Sequence, residues 1–348
     1  IISESDAGNA IWGILSESWS YNPAARPSAA HIRDIMNTVH QTPDSVALKQ
    51  LRLAVTEETT LQHLVSHFEK RLMNYTELLD PTRALVAESV ADTALANVYR
   101  VELLNRHSVA VKCVKHNTPY KRLKRAAREL DCWLSHKHEN ILPVLGFAVV
   151  GTNLAMVSPW MNNGHVTDYV ATNPNCDRLT LCVQLAKAVA YLHENSVVHG
   201  DIKGPNVLVS DQGAIQVTDF GVSIMDHQEI EFSVTSSGRG TQRWQAPEIL
   251  LGQSDSTKRA DVYALSMTMI EIYTGEQPYG STNWLQIMIP VLSGQLRPSR
   301  PIRLPIDENG NGVWKLMNYC WMANPSERPT STRVYEWLLY YSSMRATA

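Results

Sequence analysis

The sequence predicts an α+β molecule of two lobes, a small strand-rich lobe with one main helix and a larger helical lobe behind it, preceded by a helical N-terminal segment. Three observations predict it. From about residue 85 the chain breaks into short apolar, β-branched runs: ALVAESV, NVYRVEL, SVAVKCV, LPVLGFAVV and NLAMVS. A single basic helical stretch, Tyr120 to Lys137, interrupts them, with Leu123, Ala127, Leu130 and Leu134 on one face. After Asn163 helical periodicity takes over, apart from the strand-like VLVS and AIQVTDF. At 348 residues the chain is long enough for two or three compact units, at roughly 100–200 residues each.

Taken from the N-terminus, the first feature is an internal repeat. Ile11 to Ile35 aligns without a gap on Val313 to Trp337, with Trp12, Trp19, Asn22, Pro23, Arg26 and Pro27 matching Trp314, Trp321, Asn324, Pro325, Arg328 and Pro329. Both copies read as a helix stopped by an NPxxRP turn and followed by a second amphipathic helix, because proline ends one helix and prepares the next. Residues 1–37 are thus expected to be the tail of an upstream copy of the unit at the C-terminus. Residues 38–82 read as a helical linker, helical from about Pro43 to Leu79, with Leu61, Leu64, Val65, Phe68 and Leu72 on its packing face. The two lobes then occupy about 83–157 and 163–341.

Ile141 to Met161 is uncharged over about the length that spans a bilayer. Pro143, Gly146, Gly151, Asn153 and Pro159 interrupt it, so it reads as a buried hairpin around GTN rather than a membrane span. SGQLRPSRPIRLPIDENGNG, proline-rich and then glycine-rich, reads as a surface connection.

Composition narrows the function. Lys plus Arg number 31 against 34 Asp plus Glu, which argues against a nucleic-acid binder, and the run KRLKRAAR reads as a solvated helix face. Cys113, Cys132, Cys176, Cys182 and Cys320 are odd in number and form no CxxC pair, so a reducing, cytoplasmic location is expected. The chain carries no signal peptide and begins on Ile, so its true amino terminus is expected to be missing.

Four motifs follow one another in order: SVAVK with Lys112, HGDIKGPN with Asp201, Lys203 and Asn206, TDFG with Asp219, and GTQRWQAPE ending at Glu248. Glu129 lies on the basic helix seventeen residues after Lys112. Alone, each is weak; in this order they resemble the eukaryotic protein kinase family, over about residues 83 to 341. The resemblance implies a bilobal protein kinase fold that binds ATP and Mg²⁺ and passes phosphate to Ser/Thr hydroxyls of a protein substrate. That reaction needs the triphosphate held, metal charge supplied and a carboxylate beside the acceptor.

By that resemblance Asp201 accepts the acceptor's proton, Lys203 neutralises the moving phosphoryl group, and Asn206 and Asp219 offer oxygens to magnesium. Lys112 pairs with phosphate and is fixed by Glu129; Val98 and Ala110 line the nucleotide. Ser158, six before Gly164, takes the gatekeeper position, with Pro159 and Met161 presenting hinge backbone to adenine. Glu248, Arg328 and Asp261 are architectural. Lys203 together with Thr241 favours Ser/Thr over Tyr, and the HGDIKG, SPWM and RWQAPE stretches resemble the fungal branch of tyrosine-kinase-like kinases.

Two departures stand out. Ala91, Thr93 and Ala96 occupy the places of the three glycines in the phosphate-covering loop, and Gly200 replaces the arginine that receives activation-segment phosphate. Alanine N–H groups can still donate, so a stiffer lid and weaker nucleotide binding are expected. The missing glycines keep open an alternative, a pseudokinase acting as a nucleotide-binding or scaffolding module. A small-molecule phosphotransferase fits less well, because the GT…APE segment presents a peptide.

Overall fold

The computed structural model describes residues 55–79, 89–93, 95–103, 107–220, 224–225 and 241–346. The elements below belong to the compact unit Glu57–Ala348. The N-terminal copy of the repeat and the four Ser/Thr positions Ser233 to Ser237 lie outside the described residues.

The first element is helix α1, Leu61–Phe68, started by Thr60 and His63, each side chain bonding the other's backbone N–H. Its inward residues Leu64, Val65 and Phe68 are buried. Of the linker helix expected from Pro43 to Leu79, residues 43–54 lie outside the described residues, and the rest is helical only over α1. After Phe68 the chain turns, and Met73–Asn74 forms strand β1, so Leu72 does not continue the apolar stripe. The spacing misleads there because a turn and a strand reuse the same apolar residues for a different surface.

A sheet of six strands follows, ordered β1-β5-β6-β4-β3-β2, where β2 is Ser89–Asp92, β3 Ala96–Glu102, β4 Ser108–Val114, β5 Gly146–Val150 and β6 Asn153–Pro159. β1 joins β5 in parallel; the other pairs are antiparallel. The uncharged stretch read as a hairpin is β5 and β6, turned through Gly151 at φ 60°. Among the described residues no helix is long and apolar enough to cross a membrane.

Register decides which face does what, because side chains alternate across a strand. Val101, Val109, Val111, Cys113, Ala148, Ala155 and Val157 form an apolar core on one face, closed by Leu79 and Leu103. The pairs Val98↔Lys112, Lys112↔Met156 and Ala110↔Ser158 place those residues on the opposite face. Helix α2, Pro119–Ser135, packs against β4 and β6 and buries Ala126, Ala127, Glu129, Leu130, Cys132 and Trp133.

The second lobe is helical. Its helices are α3 (Val166–Thr172), α4 (Arg178–Glu194), α5 (Pro247–Leu250), α6 (Lys258–Thr274), α7 (Trp284–Leu292), α8 (Glu308–Cys320) and α9 (Ser331–Ala346). Small strands β7 (Val197–Val198), β8 (Val207–Val209), β9 (Ile215–Val217) and β10 (Ile224–Met225) frame the loops above them. α6 is buried from Ala260 to Tyr273, which makes it the post on which the lobe is built. The five cysteines are free thiols. The C-terminal copy of the repeat is a helix, an Asn324-capped turn and a helix, as its NPxxRP signature predicts.

The glycine-rich end of the expected surface connection is a helix instead. Asp307 caps α8 by accepting from Gly310 N–H at 2.7 Å, and Gly310 and Gly312 lie within its first turns. A Cβ at Gly310 would collide with the Pro305 carbonyl, and one at Gly312 with the Tyr341 ring. These glycines serve close packing rather than loop freedom.

Candidate active site

Lys112 stands on β4, facing α2. Its Nζ donates to Glu129 Oε1 at 2.5 Å and to Asp219 Oδ1 at 2.8 Å, joining three separate elements through one ammonium. Burial alone would lower the Lys112 pKa, but Asp219 and Glu129 outweigh it and raise it, so the lysine stays charged. Burial pushes the Glu129 carboxyl up, opposed by Lys112. Asp219 sits at φ 70°, a left-handed conformation uncommon for non-glycine residues, which turns its carboxylate toward Lys112.

The loop His199 to Asn206 carries the second group. Asp201 Oδ2 accepts from Asn206 Nδ2 at 2.9 Å and pairs with Lys203 Nζ at 2.6 Å, while Asn206 Nδ2 also donates to the Asp201 carbonyl at 2.8 Å. Burial raises the Asp201 pKa, and Lys203 opposes it. A carboxylate oriented by two donors beside an open approach is suited to accept a proton. A shallow pocket lined by Gly200, Asp201, Ile202, Trp244, Gln245 and Ala264 opens beside it.

The loop is held from below by α6. Asp261 accepts from His199 N–H at 2.8 Å and Gly200 N–H at 2.9 Å, the anchoring role its motif implies. Gly200 has φ 80°, which suits glycine. Arg328 clamps Glu248 through two bonds of 2.6 and 2.8 Å, fixing the start of α5.

Several residues that matter here carry no signature of their own. Glu271 of α6 accepts from Gly204 N–H and from Trp244 Nε1, both at 2.6 Å, so one carboxylate ties the catalytic loop to the segment before α5. A Cβ at Gly204 would lie 2.6 Å from Glu271 Oε1, so any larger residue would push that carboxylate aside. His199, Phe220 and Trp133 form a run of rings, with centroids 5.5 and 6.3 Å apart, from the loop to α2. Trp133 lies one helical turn after Glu129, the only hint of its place in the sequence.

The β2–β3 hairpin bears Ala91, Thr93 and Ala96. Ala91 pairs with Val98 beside a register shift. The tip is closed by Thr93, whose Oγ1 accepts from Ala96 N–H at 3.1 Å and Leu95 N–H at 3.3 Å, and whose own N–H donates to the Ala96 carbonyl at 3.0 Å. Lys115 adds a bond to Asp92 at 2.5 Å. The expectation that alanine N–H groups remain available as donors fails at Ala96, because the threonine hydroxyl has taken that N–H. Ser158 is buried near the end of β6, half-buried Pro159 is that strand's last residue, and Met161 follows, half-buried, on the connection between lobes.

Magnesium has a fitting donor set. Asn206 spends its amide nitrogen on Asp201, leaving its amide oxygen as the acceptor, and Asp219 adds a carboxylate. Among the described residues no cluster of three or more His, Cys, Asp or Glu could hold a metal alone. Two hard oxygens suit an ion that keeps waters and phosphate as its remaining ligands.

Comparison with known proteins agrees with this geometry. The chain is similar to serine/threonine-protein kinase STY17 of Arabidopsis thaliana, 26% identical over 75% of this chain and 45% of that protein. It is also similar to a probable serine/threonine-protein kinase of Dictyostelium discoideum, 28% identical over 65% of this chain and 24% of that protein. Mitogen-activated protein kinase kinase kinase 5 of Arabidopsis thaliana is 26% identical over 76% of this chain and 36% of that protein. The chain thus spans less than half the length of these relatives. The model of the protein tyrosine and serine/threonine kinase family matches residues 86–338, well over half of the sequence, and the chain belongs to that family.

Proposed function

We propose that this chain is a protein serine/threonine kinase that transfers the γ-phosphate of ATP, with Mg²⁺, to hydroxyls of a protein substrate. One observation carries the reading: Lys112 bonds Glu129 and Asp219 at once while Asp201 is oriented by Asn206 and Lys203. The groups needed to hold phosphate and metal and to take the acceptor's proton are all present and linked, so the pseudokinase alternative is disfavoured.

Lys112 would hold phosphate oxygens. Val98, Ala110 and Ser158 share its face of the sheet and would line the adenine, with Pro159 and Met161 as hinge contacts. Bound magnesium would supply positive charge to the phosphates, held by Asn206 and Asp219. Asp201 then takes the acceptor's proton, and Lys203, 2.6 Å from it, balances charge as the phosphoryl group moves. Trp244 and its neighbours, fixed by Glu271 and by the Glu248–Arg328 pair, would form the platform for an extended peptide.

In the same reading the chain is cytoplasmic, supported by its five scattered free cysteines, and resembles fungal tyrosine-kinase-like kinases in its HGDIKG, SPWM and RWQAPE stretches. Residues 1–37 would be the end of an upstream kinase domain, supported by their match to the helix–turn–helix of α8 and α9. Phosphoamino-acid analysis of a generic protein substrate after incubation with ATP tests the specificity. Magnesium-dependent phosphoserine and phosphothreonine are expected; phosphotyrosine alone would overturn it.

A further inference from the structure

Residues 57–79 precede the family match, which begins at residue 86, yet they are built into the small lobe. They grip the sheet at β5, which would otherwise be an edge strand. β1 pairs Met73 with Gly146 and Asn74 with Phe147, Tyr75 N–H donates to the Phe147 carbonyl at 2.7 Å, and Thr76 Oγ1 accepts from Val149 N–H at 2.9 Å. A Cβ at Gly146 would collide with the Met73 carbonyl, so the edge is shaped to receive this segment.

The segment reaches both faces. Tyr75, Leu78 and Leu79 close the apolar core on one face. On the face that carries Lys112, Phe68 is fully buried with its ring 6.2 Å from that of Phe147, whose strand partner is Met156 beside Lys112. From there Arg71 Nη1 reaches Asp131 Oδ1 on α2 at 3.0 Å, two residues past Glu129.

Helix α2 needs such support. Its first three turns carry five cations, Lys121, Arg122, Lys124, Arg125 and Arg128, whose like charges at three- and four-residue spacing repel one another. Glu129 must also be desolvated to meet Lys112, so the ion pair does not draw the helix inward unaided. We propose that residues 57–79 are a built-in positioning element, in which Phe68 anchors the segment on the sheet and Arg71, held from that anchor, ties α2 so that Glu129 stays on Lys112. Arg71 and Asp131 are 43% and 30% exposed, so their pair aims the helix only weakly, and the buried Phe68 keeps Arg71 in place by fixing the segment to Phe147.

The inference rests on the phosphotransfer reading for its activity readout, so helix position is measured separately. In the full chain, amide hydrogen exchange across residues 126–133 and kinase turnover are compared for wild type, Arg71→Glu, Asp131→Arg, the double charge swap and Phe68→Ala. Arg71→Glu is expected to speed exchange in α2 and lower kcat roughly two- to fivefold, in line with an exposed pair. The double swap restores both, and Phe68→Ala gives a loss of about tenfold or more. Unchanged α2 exchange in a folded Arg71→Glu chain, or a loss that the double swap does not repair, would overturn the proposal even if Phe68→Ala fails to fold. If wild type shows no turnover, the phosphotransfer reading fails alone, and α2 exchange still decides whether the segment positions the helix.

Discussion

Glu271 is a carboxylate with two donors on one oxygen and burial around the rest. Burial raises its pKa from 4.5 to about 7, against the pull of the Trp244 and Gly204 bonds. The folded state therefore favours the protonated form. Its contribution to stability is complete below pH 4.5 and is lost as pH rises through about 7, an effect of about 3 kcal/mol at most. Gln at this position keeps a carbonyl for both donors and cannot ionise. Relative to wild type, Glu271→Gln is expected to lessen the fall of the unfolding midpoint as pH rises from 5 to 8, measured by thermal denaturation; parallel curves would contradict this. Gly200 supports a second prediction at the same scale. It offers no cation to an activation-segment phosphate, so replacing Ser233, Thr235, Ser236 and Ser237 by Ala together is expected to leave turnover within about twofold of wild type. Loss of activity in that variant would refute the reading of Gly200.

Among the elements, the β2–β3 hairpin is the one built most unlike a pliable phosphate cover. Its tip is stiff because the Thr93 hydroxyl satisfies the N–H groups of Leu95 and Ala96, a role glycine cannot play. Thr93→Gly releases both donors and lets the backbone approach the phosphates. The KM for ATP is expected to fall by about two- to tenfold with kcat little changed, read from initial rates; an unchanged or higher KM would show that the hairpin does not limit nucleotide binding. α1 and β1 illustrate the opposite case, an element misread because apolar spacing alone cannot tell a helix that ends at Phe68 from one that runs to Leu79. Only the pairing partner Gly146, distant in sequence, decides where the helix stops.

Across the whole molecule, the order of strand-rich and helical segments made the two lobes legible, since alternation and helical spacing are local properties. Lys112, Asp201, Asn206 and Asp219 were legible for a different reason: each sits inside a short motif, and the motifs keep their order. Glu271, Trp133 and Arg71 were not, because their roles arise only when α6, α2 and the segment before β2 meet partners far away in the chain. The glycines of α8 were read as loop residues for the same reason, since the carbonyl of Pro305 and the ring of Tyr341 that exclude a Cβ are visible only in three dimensions.

The central claim is that Asp201, oriented by Asn206 and Lys203, performs phosphoryl transfer in concert with Lys112 and Asp219. Its most direct test is the rate of transfer of labelled γ-phosphate from ATP with magnesium to a generic Ser/Thr substrate, by the full chain and by Asp201→Ala at equal concentration. Removal of the base is expected to lower kcat by about 10²–10⁴ with ATP binding retained. Equal signals from the two proteins would contradict the account.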